Sequence, residues 1–213
     1  MNWVTTFFST SVGKKILMSI TGMSFIGFLV VHLIGNLTIY GGKDYFDSYV
    51  DHLHSLGPVL HVFEIGLLTF ALIHVLTGAV LTFQNFLSRP VRYQMNRNAG
   101  GRTLGSATMP YTGAILLIFL VFHVLHFHFA DHTVKTTFEI VTGYFVNPFY
   151  AGAYVCVMIV AAFHVSHGFW SAFQTLGINH GKYTPMLKIL SLLFACIVAA
   201  GFGFLPIYFN MFI

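Results

Sequence analysis

Five apolar segments determine what this chain can fold into. Each one reaches the roughly 20 residues that an α-helix needs to cross a bilayer. The segments cover approximately residues 15–40, 58–86, 107–130, 148–176 and 185–211. Because a backbone in lipid must satisfy its own hydrogen bonds, such segments form helices. The sequence therefore predicts an all-α membrane protein, a single integral membrane domain over residues 1–213 with five transmembrane helices.

Composition and the chain start agree with this prediction. Only 8% of the residues are charged, whereas a soluble domain carries about 25%. The net charge of +4 is spread over loops without a basic patch interleaved with aromatics, so nucleic acid is not an expected partner. Residues 2–12 are interpreted as a short amphipathic lead-in, and the apolar run after Lys15 as a true span rather than a signal peptide. Cys156 and Cys196 are interpreted as packing residues.

The basic residues predict an orientation in the membrane. Eight of the ten fall on one side of the predicted topology: Lys14, Lys15, Arg89, Arg92, Arg97, Arg102, Lys182 and Lys188. The positive-inside rule then places the N-terminus in the cytoplasm and the C-terminus outside. The N-terminal segment and the Arg89–Arg102 loop are the predicted docking surface for a soluble partner.

Histidines inside the apolar segments are the candidate functional residues. His61 lies near the start of the second segment, and seven of the twelve histidines form the membrane set: His32, His74, His123, His126, His128, His164 and His167. A titratable side chain inside a membrane is energetically costly unless it is partnered, so it indicates a functional site.

The histidines follow two alternating sequence patterns. Residues 21–32 and 112–123, in the first and third segments, both read T-G-x9-H, whereas residues 74–78 and 164–168, in the second and fourth, read H-x3-G. Eleven residues return to within about 20° of the same helix face, so each threonine is expected on the stripe of its histidine. A glycine one turn from a histidine removes the side chain there and allows a flat group to approach.

This spacing suits the ligation of haem b. One imidazole from each of two helices can hold an iron from both axial sides, which leaves no open position for oxygen. With alternating helix directions, His32 can face His123, and His74 can face His164. The sequence therefore predicts two bis-histidine haems b in a bundle formed by the first four helices. The depths of the histidines suggest that the His32–His123 pair lies farther from the N-terminal side, with the order left open.

Two further histidines are alternative ligands. His126 and His167 each follow a proposed ligand by three residues and share its helix face. The repeats favour His123 and His164 as ligands. His126 and His167, together with His128, are then interpreted as contacts for haem propionates or a quinone, or as ordinary packing residues.

Glu64 is the one carboxylate within an apolar segment. A buried carboxyl there could transfer the protons that accompany quinone chemistry. It could equally cap a hydrogen-bond network between helices.

With one such histidine on each of the first four spans, the chain resembles the cytochrome b subunit of succinate:quinone oxidoreductases, a family that includes succinate dehydrogenases and fumarate reductases. The similarity covers essentially the whole chain and is greatest to single-subunit, dihaem membrane anchors of the b558 type. Its most specific parts are T-G-x9-H at 21–32 and 112–123, and H-x3-G-x-W-S-x5-G at 164–177.

The resemblance implies a role in a respiratory complex of the bacterial cytoplasmic membrane. It implies that the chain binds two haems b, contacts membrane lipid, and anchors a flavoprotein and an iron–sulfur subunit at the cytoplasmic face. It implies electron exchange with a quinone, usually menaquinone, with the dicarboxylate chemistry on the flavoprotein. By the same resemblance, His74 and His164 hold the haem nearer the iron–sulfur subunit, and His32 and His123 hold the outer haem. A dimer of such complexes is compatible with the sequence.

The chain departs from the family pattern in one place. Some dihaem members carry a glutamate two residues before the fourth-span ligand, where this chain has Ala162, so a proton route through that position is absent. The quinone-site carboxylate has three candidates, Asp47, Asp51 and Glu64, of which Glu64 is preferred for its position inside a span.

Two other functions compete with this hypothesis. Membrane cytochromes b of the hydrogenase or formate dehydrogenase type concentrate paired histidines on fewer helices. A haem-free, proton-linked transporter is typically built from discontinuous helices and inverted repeats. The spread of one ligand per helix counts against the first class. The second is disfavoured because the repeat here alternates odd with even spans and no span is broken at its centre by proline.

Overall fold

The computed structural model describes residues 2–88 and 103–212, apart from the side chain of Val4. All regular structure in these two ranges is helical, and a 3-10 turn at Thr38–Gly41 extends the second helix. The α-helices are α1 (Trp3–Ser9), α2 (Ser11–Leu37), α3 (Lys43–His54), α4 (Pro58–Leu87), α5 (Leu104–Phe127), α6 (Thr137–Phe145), α7 (Pro148–Thr175) and α8 (Thr184–Phe212). The predicted docking loop Arg89–Arg102 lies outside the described residues.

Five of these helices, α2, α4, α5, α7 and α8, are long and apolar enough to cross a membrane. The prediction of an all-α protein with five such helices is therefore confirmed. Neighbouring helices run in opposite directions. Lys14, near the start of α2, lies with its Nζ 3.2 Å from Oε1 of Gln84, near the end of α4. We call this side of the bundle the N-terminal face and the other side the opposite face.

Local capping explains where α5 begins. The helix starts at Leu104, three residues before the predicted boundary, because Thr103 and Ser106 form a reciprocal capping box. The Thr103 hydroxyl accepts a hydrogen bond from the Ser106 amide at 3.1 Å, and the Ser106 hydroxyl accepts one from the Thr103 amide at 3.0 Å. α7 begins on Pro148 at the first-turn position, as predicted.

Two segments that were predicted as loops contain helices. Residues 43–57 hold α3 and residues 131–147 hold α6, both at the opposite face. The Lys43 ammonium donates a 2.6 Å hydrogen bond to Glu139, which joins α3 to α6. That hydrogen bond is the main reason why the pKa of the Glu139 carboxyl is lowered and the pKa of Lys43 is raised. The Phe138 amide adds a second link by donating to the Asp47 carboxylate at 3.0 Å.

The four histidine-bearing spans form a ring, and α8 packs outside it. α2 packs against α4 and α7, while α5 packs against α7 and lightly against α4, so α2 faces α5 and α4 faces α7 across diagonals. α8 packs along α7 and also touches α2. Five buried apolar side chains join the end of α8 to α3, α6 and the 3-10 turn at the opposite face: Ile39, Phe46, Phe145, Leu205 and Phe209.

Candidate functional site

Two pairs of histidines meet across the diagonals of the four-helix ring. His74 of α4 and His164 of α7 have ring centroids 6.4 Å apart and ring planes at 64°. His32 of α2 and His123 of α5 have centroids 5.9 Å apart and planes at 86°. We call His74–His164 the inner pair, because it lies nearer the N-terminal face, and His32–His123 the outer pair.

The separation within each pair fits one iron between two imidazoles. Two metal–nitrogen bonds of about 2.0 Å, and about 1.1 Å from each nitrogen to its ring centroid, place trans imidazole centroids about 6 Å apart. The observed 6.4 Å and 5.9 Å agree with this distance. Within residues 2–88 and 103–212, no three His, Cys, Asp or Glu side chains cluster as a bare metal ion would require. Each site thus offers two imidazole nitrogens and, from those two ranges, no further side-chain ligand. That number suits a planar cofactor whose own nitrogen atoms supply the remaining ligands of the iron.

Both rings of the inner pair contact threonine hydroxyls. Oγ1 of Thr21 lies 3.0 Å from Nδ1 of His74, and Oγ1 of Thr112 lies 3.1 Å from Nδ1 of His164. The sequence pattern placed each threonine on the stripe of the histidine in its own helix. The structure shows instead that each threonine contacts a histidine of another helix, a partnership that the sequence reasoning missed.

The glycine that follows each threonine also faces the inner pair. A methyl group on Gly22 would lie 3.3 Å from Cε1 of His74, and one on Gly113 would lie 3.5 Å from Cε1 of His164. The Thr-Gly dipeptide therefore allows the neighbouring imidazole to approach the backbone closely. The two glycines of the H-x3-G pattern, Gly78 and Gly168, were expected to admit a flat group. A methyl group on Gly168 would meet no heavy atom of the described residues within 4 Å, so there is open space beside it. A methyl group on Gly78 would be in ordinary van der Waals contact with Met18.

The T-G-x9-H pattern sets the distance between the two pairs. Thr21 marks the level of the inner pair on α2, and His32 follows eleven residues later. At 1.5 Å rise per residue the two levels are about 16 Å apart along the helix. α5 repeats this spacing from Thr112 to His123. One helix therefore contributes to both sites, with its threonine at the inner level and its histidine at the outer level.

The outer pair has aromatic rather than hydroxyl neighbours. His32 stacks on Phe28 with centroids 5.1 Å apart and an interplanar angle of 16°, and His123 packs edge-on to Phe127 at 5.1 Å. Nδ1 of His123 is buried without a hydrogen-bond partner. The amide nitrogen of Asn36 lies 3.5 Å from both Nδ1 and Nε2 of His32. The two pairs thus differ in what the described residues place beside Nδ1, which is a threonine hydroxyl for the two inner rings only.

His126 and His167 do not oppose another histidine ring. His126 stacks on Tyr144 with centroids 4.7 Å apart. His167 packs edge-on to Trp170, and its Nδ1 lies 3.4 Å from Oγ1 of Thr103. The structure brings His123 and His164 into the pairs and leaves these two alternatives outside them.

His126 lines an apolar groove of about 380 Å³ between α5 and α7. Phe119, Tyr150 and Tyr154 contribute to the same wall. Nδ1 of His126 and the hydroxyl of Tyr154 are both buried without a hydrogen-bond partner. The groove therefore combines apolar space with two polar atoms that have no hydrogen-bond partner among the described residues.

Glu64 is less buried than expected and is already paired. Its side chain is 37% exposed. Oε2 lies 3.0 Å from Nδ1 of His61 on the same helix, and Oε1 lies 3.8 Å from Nδ1 of His128 at the end of α5. Glu64 thus connects α4 to α5 toward the opposite face, away from the inner pair.

Comparison with known proteins finds similarity to a curated cytochrome subunit. No family model matches the chain, and no solved structure matches it. The chain is 28% identical, over 164 residues, to the succinate dehydrogenase cytochrome b558 subunit of Bacillus subtilis (strain 168). The matched region covers 76% of this chain and 78% of that protein. This similarity confirms the resemblance to succinate dehydrogenase cytochrome b subunits that the sequence patterns indicated.

Proposed function

We propose that the chain is the dihaem membrane subunit of a succinate:quinone oxidoreductase and conducts electrons between an iron–sulfur subunit and membrane quinone. The observation that carries the proposal is the presence of two imidazole pairs, on diagonal helices, each with the spacing of a bis-histidine iron. Haem b, when bound, supplies reversible one-electron transfer. The similarity to a cytochrome b558 subunit supports this cofactor.

In this proposal, His74 and His164 would hold the inner haem, and His32 and His123 would hold the outer haem. Ligation from both sides leaves no open iron position, so the site favours electron transfer over oxygen activation. The separation of about 16 Å between the levels distributes the two haems along the membrane normal.

The N-terminal face is the proposed docking side for the flavoprotein and iron–sulfur subunits. A cytoplasmic location of this face under the positive-inside rule is supported by its lysines, Lys14, Lys15, Lys182 and Lys188. The proposed membrane is a bacterial inner membrane. The acidic residues Asp44, Asp47 and Glu139 lie in α3 and α6 at the other side. His74 and His164, being nearer the docking side, would hold the haem closer to the iron–sulfur subunit. Succinate or fumarate chemistry takes place on the flavoprotein.

A quinone, with menaquinone as the preferred type, is the proposed membrane substrate. Quinone reduction and oxidation require protons, and Glu64 is the proposed group that carries them. His61 and His128 border its carboxylate and can exchange protons with it. The groove beside His126 provides apolar space at which an unpaired imidazole nitrogen could contact a quinone oxygen. His167 is the corresponding proposed haem or quinone contact at the N-terminal face.

Succinate-dependent reduction of haem tests this function. The chain would be purified with its flavoprotein and iron–sulfur subunits, and haem b absorbance would be followed after succinate addition, with dithionite defining full reduction. We expect succinate to reduce a substantial fraction of the haem. If the flavoprotein oxidises succinate with a soluble acceptor while the haem stays oxidised, the proposed electron path is wrong.

A further inference from the structure

We propose that Thr21 and Thr112 are positioning residues that fix the tautomer of the inner-pair imidazoles and set the reduction potential of the inner haem alone. This inference rests on the haem function proposed above. It starts from the protons that the two threonine hydroxyls can donate.

Each threonine has one hydroxyl proton and more than one neighbour. Oγ1 of Thr21 lies 2.9 Å from the Leu17 carbonyl oxygen and 3.0 Å from Nδ1 of His74. A carbonyl can only accept, so the hydroxyl proton goes to the carbonyl and the hydroxyl oxygen is left to accept. The Met18 carbonyl oxygen, 3.2 Å from Oγ1 of Thr21, is a second acceptor for the His74 ring. Because the neighbours of this ring nitrogen accept, Nδ1 of His74 carries the proton, which it shares between Thr21 and the Met18 carbonyl.

Thr112 repeats this arrangement in α5. Its Oγ1 lies 3.1 Å from the Thr108 carbonyl oxygen and 3.1 Å from Nδ1 of His164. Both hydroxyls are shielded from competing water, with Thr21 2% and Thr112 8% exposed. A neutral imidazole that is protonated on Nδ1 has its lone pair on Nε2. Both inner rings are thus prepared to bind a metal through Nε2.

The outer pair has no threonine hydroxyl beside its Nδ1 atoms among the described residues. Within the same part of the chain, Nδ1 of His123 has no hydrogen-bond partner. The side-chain amide of Asn36, which can only donate to an imidazole, lies 3.5 Å from both Nδ1 and Nε2 of His32. Because T-G-x9-H puts threonine and histidine at different levels of one helix, the hydroxyls act on the inner pair only. An imidazole that donates its second N–H to an acceptor is a more basic ligand. A more basic ligand stabilises ferric iron, so loss of the hydroxyl should raise the potential of the inner haem.

The test is a potentiometric titration of haem absorbance in the purified complex. Thr21→Val and Thr112→Val remove the hydroxyl and keep the shape of the side chain. We expect about a tenfold shift of the ferric–ferrous equilibrium toward the ferrous form, about 59 mV for a one-electron couple, in one of two haem transitions. The other transition should not move, and Thr21→Ser should restore the wild-type midpoint.

A matched control is available on α5. Among the residues that the structure describes, Oγ1 of Thr108 hydrogen-bonds only to the carbonyl oxygens of Leu104 and Gly105, at 3.0 and 3.1 Å. Thr108→Val therefore removes the same back-bonded hydroxyl without touching an imidazole, and both midpoints should stay unchanged.

The other possible results distinguish failure of the threonine inference from failure of the proposed haem function. Two haems with unchanged midpoints in Thr21→Val and Thr112→Val would overturn the inference while leaving the haem function intact, as would equal shifts of both haems. If the valine variants lose one haem, Thr21→Ser decides. Retention of the haem by the serine variant supports a role for the hydroxyl, whereas its loss there shows that the methyl group matters instead. Absence of haem from the wild-type protein would overturn the proposed function itself.

Discussion

Gly22 and Gly113 offer a test of how closely the inner imidazoles are packed. Both glycines occupy the same place in the T-G-x9-H pattern, and both face an inner-pair ring. Replacing either glycine by alanine adds one methyl group. In both cases it also makes the helical conformation more favourable by about 1 kcal/mol, the value measured in water-soluble hosts. The two variants therefore differ mainly in what the new methyl group meets.

The distances predict unequal effects. The methyl of Gly22→Ala would lie 3.3 Å from Cε1 of His74, whereas that of Gly113→Ala would lie 3.5 Å from Cε1 of His164. Non-bonded carbons prefer about 3.5–4.0 Å, so only the His74 ring must move, by about 0.2–0.7 Å. That movement stretches the 3.0 Å contact with Thr21. A side chain pushed off its rotamer loses about 0.5–1.5 kcal/mol, which corresponds to roughly two- to tenfold weaker haem binding.

The assay is competition for haem between the purified subunit and a soluble haem-binding protein. Gly22→Ala should release its inner haem at a roughly two- to tenfold lower competitor concentration than the wild type, while Gly113→Ala should match the wild type. Equal behaviour of the two variants, or a larger defect in Gly113→Ala, would refute the packing argument.

Three further predictions follow from the pairs and the charged contacts. His74→Ala or His164→Ala should remove the inner haem and leave the outer haem assembled; a haem spectrum with both components intact would show that the ligand assignment is wrong. Glu64→Gln should keep both haems but slow quinone turnover several-fold, and unchanged turnover would exclude a proton-transfer role. Because the Lys43 hydrogen bond lowers the pKa of Glu139, its stabilisation is present above the usual carboxyl pKa of about 4.5 and is lost as the pH falls through the lowered value. Glu139→Gln should thus reduce the melting temperature slightly at pH 7 and by less as the pH is lowered, and a reduction that does not diminish with falling pH would contradict this.

Much of the membrane architecture could be predicted from the sequence because it depends on properties of single segments. Apolar length alone identifies the five spans, and Pro148 marks the start of α7. The start of α5 was misplaced because the Thr103–Ser106 capping box adds a helical turn that hydropathy does not register. α3 and α6 were missed for a related reason, since they are short helices in polar or mixed segments outside the spans.

The pairing of the inner histidines with threonines lay beyond sequence reasoning. Periodicity places Thr21 and His32 on one face of α2, but it does not say which neighbouring helix that face meets. His74 is 53 residues from Thr21 in the chain, and only the packing of α2 against α4 brings them together. The same limit applies to Glu64, whose position inside a span suggested burial. Its partners His61 and His128 and its partial exposure depend on where the ends of α4 and α5 meet.

The most direct measurement is the amount of haem b per polypeptide in the detergent-purified subunit, from the absorbance of the reduced pyridine haemochrome. Two imidazole pairs predict a value near two. A value near one would mean that one pair does not bind haem. A value near zero, in folded protein produced with ample haem, would contradict the account and favour a proton-linked role for the intramembrane histidines.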